Sequence, residues 1–135
     1  MKKLSLYTFL VLMFCNVGFA KSVSIMIPNT SVEEVKSKLI DTHLDQGYDI
    51  GKETDNRIVF EKEVSGLKIR LLMGFLSDDV ETFQRDKFNF SKKDNGVKVY
   101  YSMELSSGDE IVKLDSDSTL KSNQKWLNAW TGNNF

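Results

Sequence analysis

One stretch near the start of the chain, residues 30–47, has the pattern that most limits how this chain folds. Its apolar residues recur at helical spacing and form one stripe, comprising Val32, Val35, Leu39, Ile40, His43 and Leu44. Thr30, followed three residues later by Glu33, is typical of a capping box, and Gly47 suits the left-handed turn that ends a helix. The stretch therefore predicts one amphipathic helix, which buries its stripe against a sheet.

The first 20 residues are predicted to be a targeting signal rather than part of the fold. Lys2 and Lys3 precede an apolar run over residues 4–14, and small residues stand near Ala20. The run is too short for a membrane span. We expect cleavage after Ala20, a single mature domain at residues 21–135 with no membrane span, and a bacterial periplasmic or secreted location.

Cys15 is the only cysteine, and it lies inside the predicted signal. The mature chain would therefore contain no disulfide and no cysteine ligand. Without Lys2 and Lys3 it would have 16 basic and 19 acidic residues, a net charge of −3. This balance argues against general nucleic-acid binding. The sequence contains no phosphate-binding glycine loop and no dinucleotide fingerprint, so we expect no cofactor.

Most of the remaining chain predicts strands, because apolar residues alternate with polar ones. The predicted strands are 22–27, 48–54, 57–64, 67–75, 82–92 and 97–105, and the alternation is cleanest over 67–75. Asp94-Asn95-Gly96 predicts a tight hairpin turn. Residues 106–118 are polar and acidic, and their pattern fits either a loop or a short extra element. A final helix is predicted from a cap at Ser118 or Thr119 to about residue 131, ended by Gly132.

This order, β-α-β-β-β-β-β-α, predicts an α+β domain in which one antiparallel sheet of about five to six strands packs against both helices. It resembles the helix-grip arrangement, in which a curved antiparallel sheet wraps a long terminal helix. Gly47-Tyr48, followed by Ile58-Val59-Phe60-Glu61-Lys62 after a capped helix, also resembles a loose set of uncharacterised exported bacterial proteins, over residues 23–105. These motifs are structural, so the resemblance implies a fold and no activity.

His43 is the only histidine, and it lies near the middle of the apolar stripe. As a general base it would need a nucleophile or a carboxylate from elsewhere, and the sequence designates neither. We therefore expect a partly buried residue whose ring packs against the core and which has one nitrogen satisfied.

No metal site is expected from the sequence. One histidine without a mature cysteine argues against a zinc site. The stretch Asp115-Ser116-Asp117-Ser118-Thr119 starts like a calcium loop but then lacks the glycine and glutamate that an EF-hand needs. A weak calcium site of another type, at Asp109, Glu110, Asp115 and Asp117, is the less favoured alternative to a solvated acidic loop.

Two surfaces are candidates for ligand binding. The hairpin at residues 85–101 carries five basic and two acidic residues, and on it Arg85, Lys98 and Tyr100 are candidate contacts. The alternative is that its lysines prevent aggregation at an exposed strand edge. Trp126 and Trp130 share a helix face, and they either bury against the sheet or line a groove between helix and sheet.

These observations lead to three functional hypotheses. The favoured one, because no catalytic set is designated, is a non-enzymatic exported binding module. Its partner would be an unknown protein or small ligand in the cell envelope, contacted through the sheet surface or the helix–sheet groove. The second is a carrier of a small apolar ligand or lipid in a helix–sheet cavity. The third is a hydrolase that uses His43 with a carboxylate.

Overall fold

The computed structural model describes residues 21–64, 81–108 and 110–135 of the 135-residue chain. The predicted signal at residues 1–20 and the predicted strand at residues 67–75 lie outside this part. In chain order the described elements are β1 (Val23–Pro28), α1 (Val32–Asp45), β2 (Asp49–Thr54), β3 (Arg57–Val64), β4 (Thr82–Lys93), β5 (Gly96–Ser107), β6 (Glu110–Lys113) and α2 (Asp117–Asn134).

The six strands form one open sheet in the order β1-β5-β4-β3-β2, and β6 also pairs with β5. Every strand pair is antiparallel. The predicted α+β architecture, a single antiparallel sheet with an N-terminal and a C-terminal helix, is confirmed. The stretch whose structure the sequence left open contains β6, which adds a short strand beside the second half of β5.

Helix α1 begins one residue later than predicted. Ser31 rather than Thr30 is the N-cap, and its hydroxyl accepts a hydrogen bond from the Glu34 amide at 3.2 Å. Thr30 instead donates its hydroxyl proton to the Glu34 carboxylate at 2.8 Å. Serine and threonine are both good caps, so their adjacent positions leave the register of the cap ambiguous in the sequence. At the other end Gly47 adopts a φ of +85°, the left-handed conformation predicted for it.

Helix α2 is longer than predicted at both ends. Its N-cap is Ser116, whose hydroxyl accepts a hydrogen bond from the Thr119 amide at 3.4 Å. The predicted stop at Gly132 is wrong, because the helix continues through this residue to Asn134. A glycine lowers helix propensity but does not by itself end a helix. Crossing a bilayer would require more length or more apolar character than either described helix has.

Both helices pack against the same face of the sheet, which we call the helix face. The buried strand residues on it include Ile58, Phe60, Phe88, Phe90, Val97, Val99 and Tyr101, and the helices contribute Val35, Leu39, Leu127 and Trp130. The indole Nε1 of Trp130 donates to Thr42 Oγ1 at 2.9 Å and so joins the two helices. Successive strand residues point to opposite faces. The intervening residues therefore form the other side of the sheet, which we call the outer face.

Candidate functional site

The sheet divides the five candidate ligand-binding residues into two groups. Arg85, Lys98 and Tyr100 lie on the outer face, as the strand registers place them. Trp126 and Trp130 lie on the other side, where their stacked rings are 6.0 Å apart in the layer between α2 and the sheet. A single small ligand does not reach both groups, so the two faces are separate candidate sites.

Arg85 is the centre of a row of charges that crosses the outer face. Glu61 on β3, Arg85 on β4 and Glu104 on β5 stand directly opposite one another. Arg85 Nε donates to Glu61 Oε1 at 3.0 Å, and Arg85 Nη1 lies 3.8 Å from Glu104 Oε1. Lys87 Nζ lies 3.0 Å from the same Glu104 oxygen. Glu104 is only 5% exposed, and these two cations offset the desolvation of its charge.

The outer face is more positive than the chain as a whole, whose net charge is −1. The described strands place seven basic and four acidic side chains on it: Lys52, Arg57, Arg85, Lys87, Lys93, Lys98 and Lys113, against Asp49, Glu61, Glu63 and Glu104. Among the described residues, Lys52, Arg57 and Lys98 form no ion pair with a carboxylate. Lys98 Nζ instead lies 5.2 Å from the centroid of the Tyr100 ring.

A basin of about 260 Å³ opens among these charges, and we call it the outer-face basin. It is lined by Gly51, Lys52, Arg57, Val59, Glu61, Arg85, Lys87 and Glu104. Gly51 stands where the register of β2 on β3 shifts. A Cβ at Gly51 would lie 2.6 Å from Glu61 Cδ, so a larger residue there displaces Glu61 from its position beside Arg85. Sequence reasoning did not connect Lys52, Arg57 or Glu104 with the hairpin residues, because only the strand register brings them together.

On the helix face, the structure provides the carboxylate that the sequence did not designate for His43. His43 Nε2 lies 3.2 Å from Asp86 Oδ2, and Nδ1 lies 2.9 Å from the Leu39 carbonyl oxygen. The sequence predicted that one ring nitrogen of His43 is hydrogen-bonded, and in the structure both are. A carbonyl only accepts hydrogen bonds, so Nδ1 carries a proton, and the Nε2–Asp86 contact holds one more. The pair therefore has no net charge, whichever of the two groups holds the shared proton.

Aromatic rings enclose this pair. The ring of Phe60 stacks on His43 with centroids 4.0 Å apart and planes 6° from parallel. Three more rings meet His43 edge-on at centroid distances between 5.1 and 5.8 Å, those of Tyr48, Phe88 and Trp126. His43 is 1% exposed and Asp86 is 4% exposed. A group this inaccessible, with both nitrogens bonded, is suited to fixing α1 on β4 and not to receiving a proton from a substrate.

Two phenols and an amide complete the polar cluster. Gln84 Nε2 donates to Asp86 Oδ1 at 3.1 Å and to Tyr48 Oη at 3.0 Å. Burial, the negative charge of Asp86 and hydrogen bonding to that carboxylate raise the pKa of Tyr48 to about 12. Burial is also the largest cause for Tyr101, and the charge of Asp86 adds to it, so that the pKa of Tyr101 lies far above that of a free phenol.

The two tryptophans fill the layer between α2 and the sheet. Trp130 is 5% exposed, and the only polar hydrogen of its side chain is donated to Thr42. Trp126 packs against the ring of Tyr101 with centroids 5.4 Å apart. Of the two arrangements that the sequence left open for these residues, the structure has the one in which they pack against the sheet.

The acidic residues considered for calcium do not gather into a cluster in the part of the chain that the structure describes. Glu110 lies in β6, and Asp117 lies in the first turn of α2. Asp109 lies outside the described residues. Across residues 21–64, 81–108 and 110–135, no three His, Cys, Asp or Glu side chains are grouped so that they would hold a metal ion.

The chain matches no protein-family model and no curated protein. Its function is therefore inferred from the residues of the two faces alone.

Proposed function

We propose that this chain is an exported, non-enzymatic binding module that contacts an anionic partner through the outer face of its sheet. One observation carries the proposal: Lys52, Arg57 and Lys98 share this face and have no carboxylate partner among the described residues, although the chain is net negative. Such a local excess of positive charge attracts and orients an anionic partner. Export, to the periplasm or beyond, is inferred from the signal pattern at residues 1–20.

The positions of these cations support binding over protection against aggregation. Lysines that discourage edge-to-edge pairing belong on edge strands. Arg57 lies on β3 and Lys98 on β5, and each of these strands has a neighbour on both sides. Edge protection therefore does not account for Arg57 or Lys98, although it does apply to Lys52, because β2 pairs only with β3 among the described strands.

Packing around Trp126 weighs against an apolar-ligand site in that part of the helix–sheet layer. The rings of Trp126, Tyr101 and Phe88 lie in contact there, at centroid distances between 4.6 and 6.1 Å. An apolar carrier needs a concave space lined by such side chains rather than rings packed against one another.

The buried histidine weighs against a hydrolase. His43 contacts the carboxylate of Asp86, but the pair is buried and each ring nitrogen is hydrogen-bonded. A general base must reach the proton that it removes. Phe60 covers one face of the imidazole, so a substrate would have to displace the core to reach it.

Site-specific photo-crosslinking in the bacterial host tests the proposal. A photoreactive amino acid is placed at Asn89, which is exposed on the outer face, or at Lys125, which is exposed on α2. We expect a discrete adduct from position 89 and none from position 125. An adduct from position 125 alone, or from neither position, overturns the proposal.

A further inference from the structure

On one side of the outer-face basin the cations are paired with carboxylates, and on the other side they are not. Arg85 contacts two carboxylates, those of Glu61 and Glu104, and Lys87 contacts Glu104. On the other side of the basin, Lys52 and Arg57 have no carboxylate partner among the described residues. A ligand that fits this arrangement brings hydrogen-bond acceptors to the side of Lys52 and Arg57.

Arg57 indicates which kind of acceptor the basin would bind. Its Nε is buried and has no hydrogen-bond partner within the described part of the chain. Buried donors are normally satisfied, so Arg57 is a cation whose hydrogen bonding within the described residues is incomplete. The guanidinium group matches a planar oxyanion with two parallel hydrogen bonds, which is the arrangement that a carboxylate offers. The basin therefore favours a carboxylate at Arg57.

The size of the basin limits what enters it. At about 260 Å³ it lies just below the range of roughly 300–1,000 Å³ that small-molecule sites occupy. Its floor includes Val59, which is 5% exposed, and its rim is charged. A single acidic side chain from a larger partner fits such a depression better than a whole free ligand does.

The row of Glu61, Arg85 and Glu104 favours a polypeptide over a nucleic acid as that partner. A phosphate backbone carries a charge at every nucleotide and would meet the two carboxylates of this row. Single-stranded nucleic acids also bind to successive exposed aromatic rings. Tyr100 is half-buried and already lies against Lys98. An acidic polypeptide can set its carboxylates beside Arg57 and its amide donors beside Glu61.

We propose that the outer-face basin is a carboxylate-binding subsite for an acidic segment of another protein, with Arg57 and Lys52 as its contacts. This rests on the proposed function, because it gives the chemistry of the partner that the outer face receives. Lys87, held on Glu104, adds positive charge at the rim.

Fluorescence anisotropy with three labelled probes tests the subsite on the purified protein. The probes are an oligoglutamate peptide, an oligolysine peptide and a single-stranded oligodeoxythymidine of the same number of charges. We expect binding of oligoglutamate, weaker binding of the oligonucleotide, and none of oligolysine. Equal or tighter binding of the oligonucleotide, or no binding of oligoglutamate at low salt, overturns the proposal.

Substitutions of Arg57 and Lys52 test whether oligoglutamate binds in the basin. Arg57→Gln should weaken oligoglutamate binding about tenfold or more, which is the effect of one charged hydrogen bond. Lys52→Gln, at an exposed position, should weaken it as well and does not depend on how Arg57→Gln folds. Lys125→Gln, an exposed lysine of α2, is the matched control and should change it by less than about twofold. If Arg57→Gln and Lys52→Gln both behave like Lys125→Gln, the subsite is wrong.

The two proposals fail in distinguishable ways. If position 89 crosslinks to a partner while the basin variants bind oligoglutamate normally, the outer face is the docking surface and the subsite is wrong. If position 89 gives no adduct, the docking surface itself is wrong, whatever the isolated probes do.

Discussion

On the helix face of the sheet every side-chain nitrogen and oxygen of the His43–Asp86 pair has a hydrogen-bond partner, whereas on the outer face Arg57 Nε has none among the described residues. Both faces are built by the same strands: Asp86 points to the helices, and its neighbours Arg85 and Lys87 point outward. A charge beneath packed rings has to be fully compensated, because its desolvation is expensive. The contrast concerns charged groups, because the neutral Ser107 Oγ, Asn123 Nδ2 and Thr131 Oγ1 are also buried without a partner among the described residues. In the proposed function, the outer-face cations are satisfied by a partner.

Under the proposed function, the helix face provides stability and the outer face provides recognition. Substitutions on the helix face should change the free energy of unfolding, and substitutions of the unpaired outer cations should change binding. Variants on each face can therefore test whether stability and recognition are divided in this way.

The largest effect is expected at the buried pair. His43→Leu leaves Asp86 buried without its partner and should lower the free energy of unfolding by about 3–5 kcal/mol, and Asp86→Leu should do the same to His43. The double variant should recover much of the loss, because it replaces a buried hydrogen-bonded pair by apolar side chains. Urea unfolding of the four proteins measures the coupling. Additive losses would show that the two residues do not act as a pair.

A smaller loss of unfolding free energy is expected at the N-cap of α1. Ser31→Ala removes the acceptor for the Glu34 amide and should cost about 1 kcal/mol of unfolding free energy. Thr30→Ala, the matched control one residue earlier, removes only an exposed side-chain contact and should cost less. Thermal and urea unfolding of both variants measure the difference. If Thr30→Ala is the more damaging, the helix begins where the sequence alone placed it.

The sequence predicted the fold better than the sites, for a physical reason. Alternation and capping are local, so the single antiparallel sheet, both helices and the β3 bounds at Arg57–Val64 could be predicted. Contacts between strands depend on register, and no local pattern pairs Glu61 with Arg85 or Arg85 with Glu104. One signal was present: Asp86 alternates with Phe88 and Phe90, which places a carboxylate on an apolar face.

Tyr48 allows a test of the helix face by pH. At neutral pH Tyr48→Phe should cost about 0.5–1.5 kcal/mol, because Gln84 loses an acceptor. The pKa of Tyr48 is raised in the folded state from 10.0 to about 12, so the folded state holds the phenol proton more tightly than the unfolded chain does. That contribution to stability is complete below pH 10 and is lost as the pH rises towards 12.

The phenylalanine introduced by that substitution has no proton to lose. The difference in unfolding free energy between the two proteins should therefore shrink as the pH rises from 10 towards 12, and urea unfolding at a series of pH values measures it. A difference that stays constant over this interval would mean that burial and the charge of Asp86 do not raise the pKa of Tyr48 in the folded state.

The smallest change in the free energy of unfolding is expected on the outer face. It tests most directly whether stability and recognition are divided between the two faces. Lys52→Gln removes an exposed cation that has no carboxylate partner among the described residues, so the free energy of unfolding should change by less than about 0.5 kcal/mol. The same substitution is expected to weaken oligoglutamate binding. A loss of more than about 1 kcal/mol in urea unfolding would make Lys52 a structural residue, because surface substitutions without a buried partner do not have effects of that size. The outer face would then stabilise the sheet, and the contrast with the buried pair would disappear.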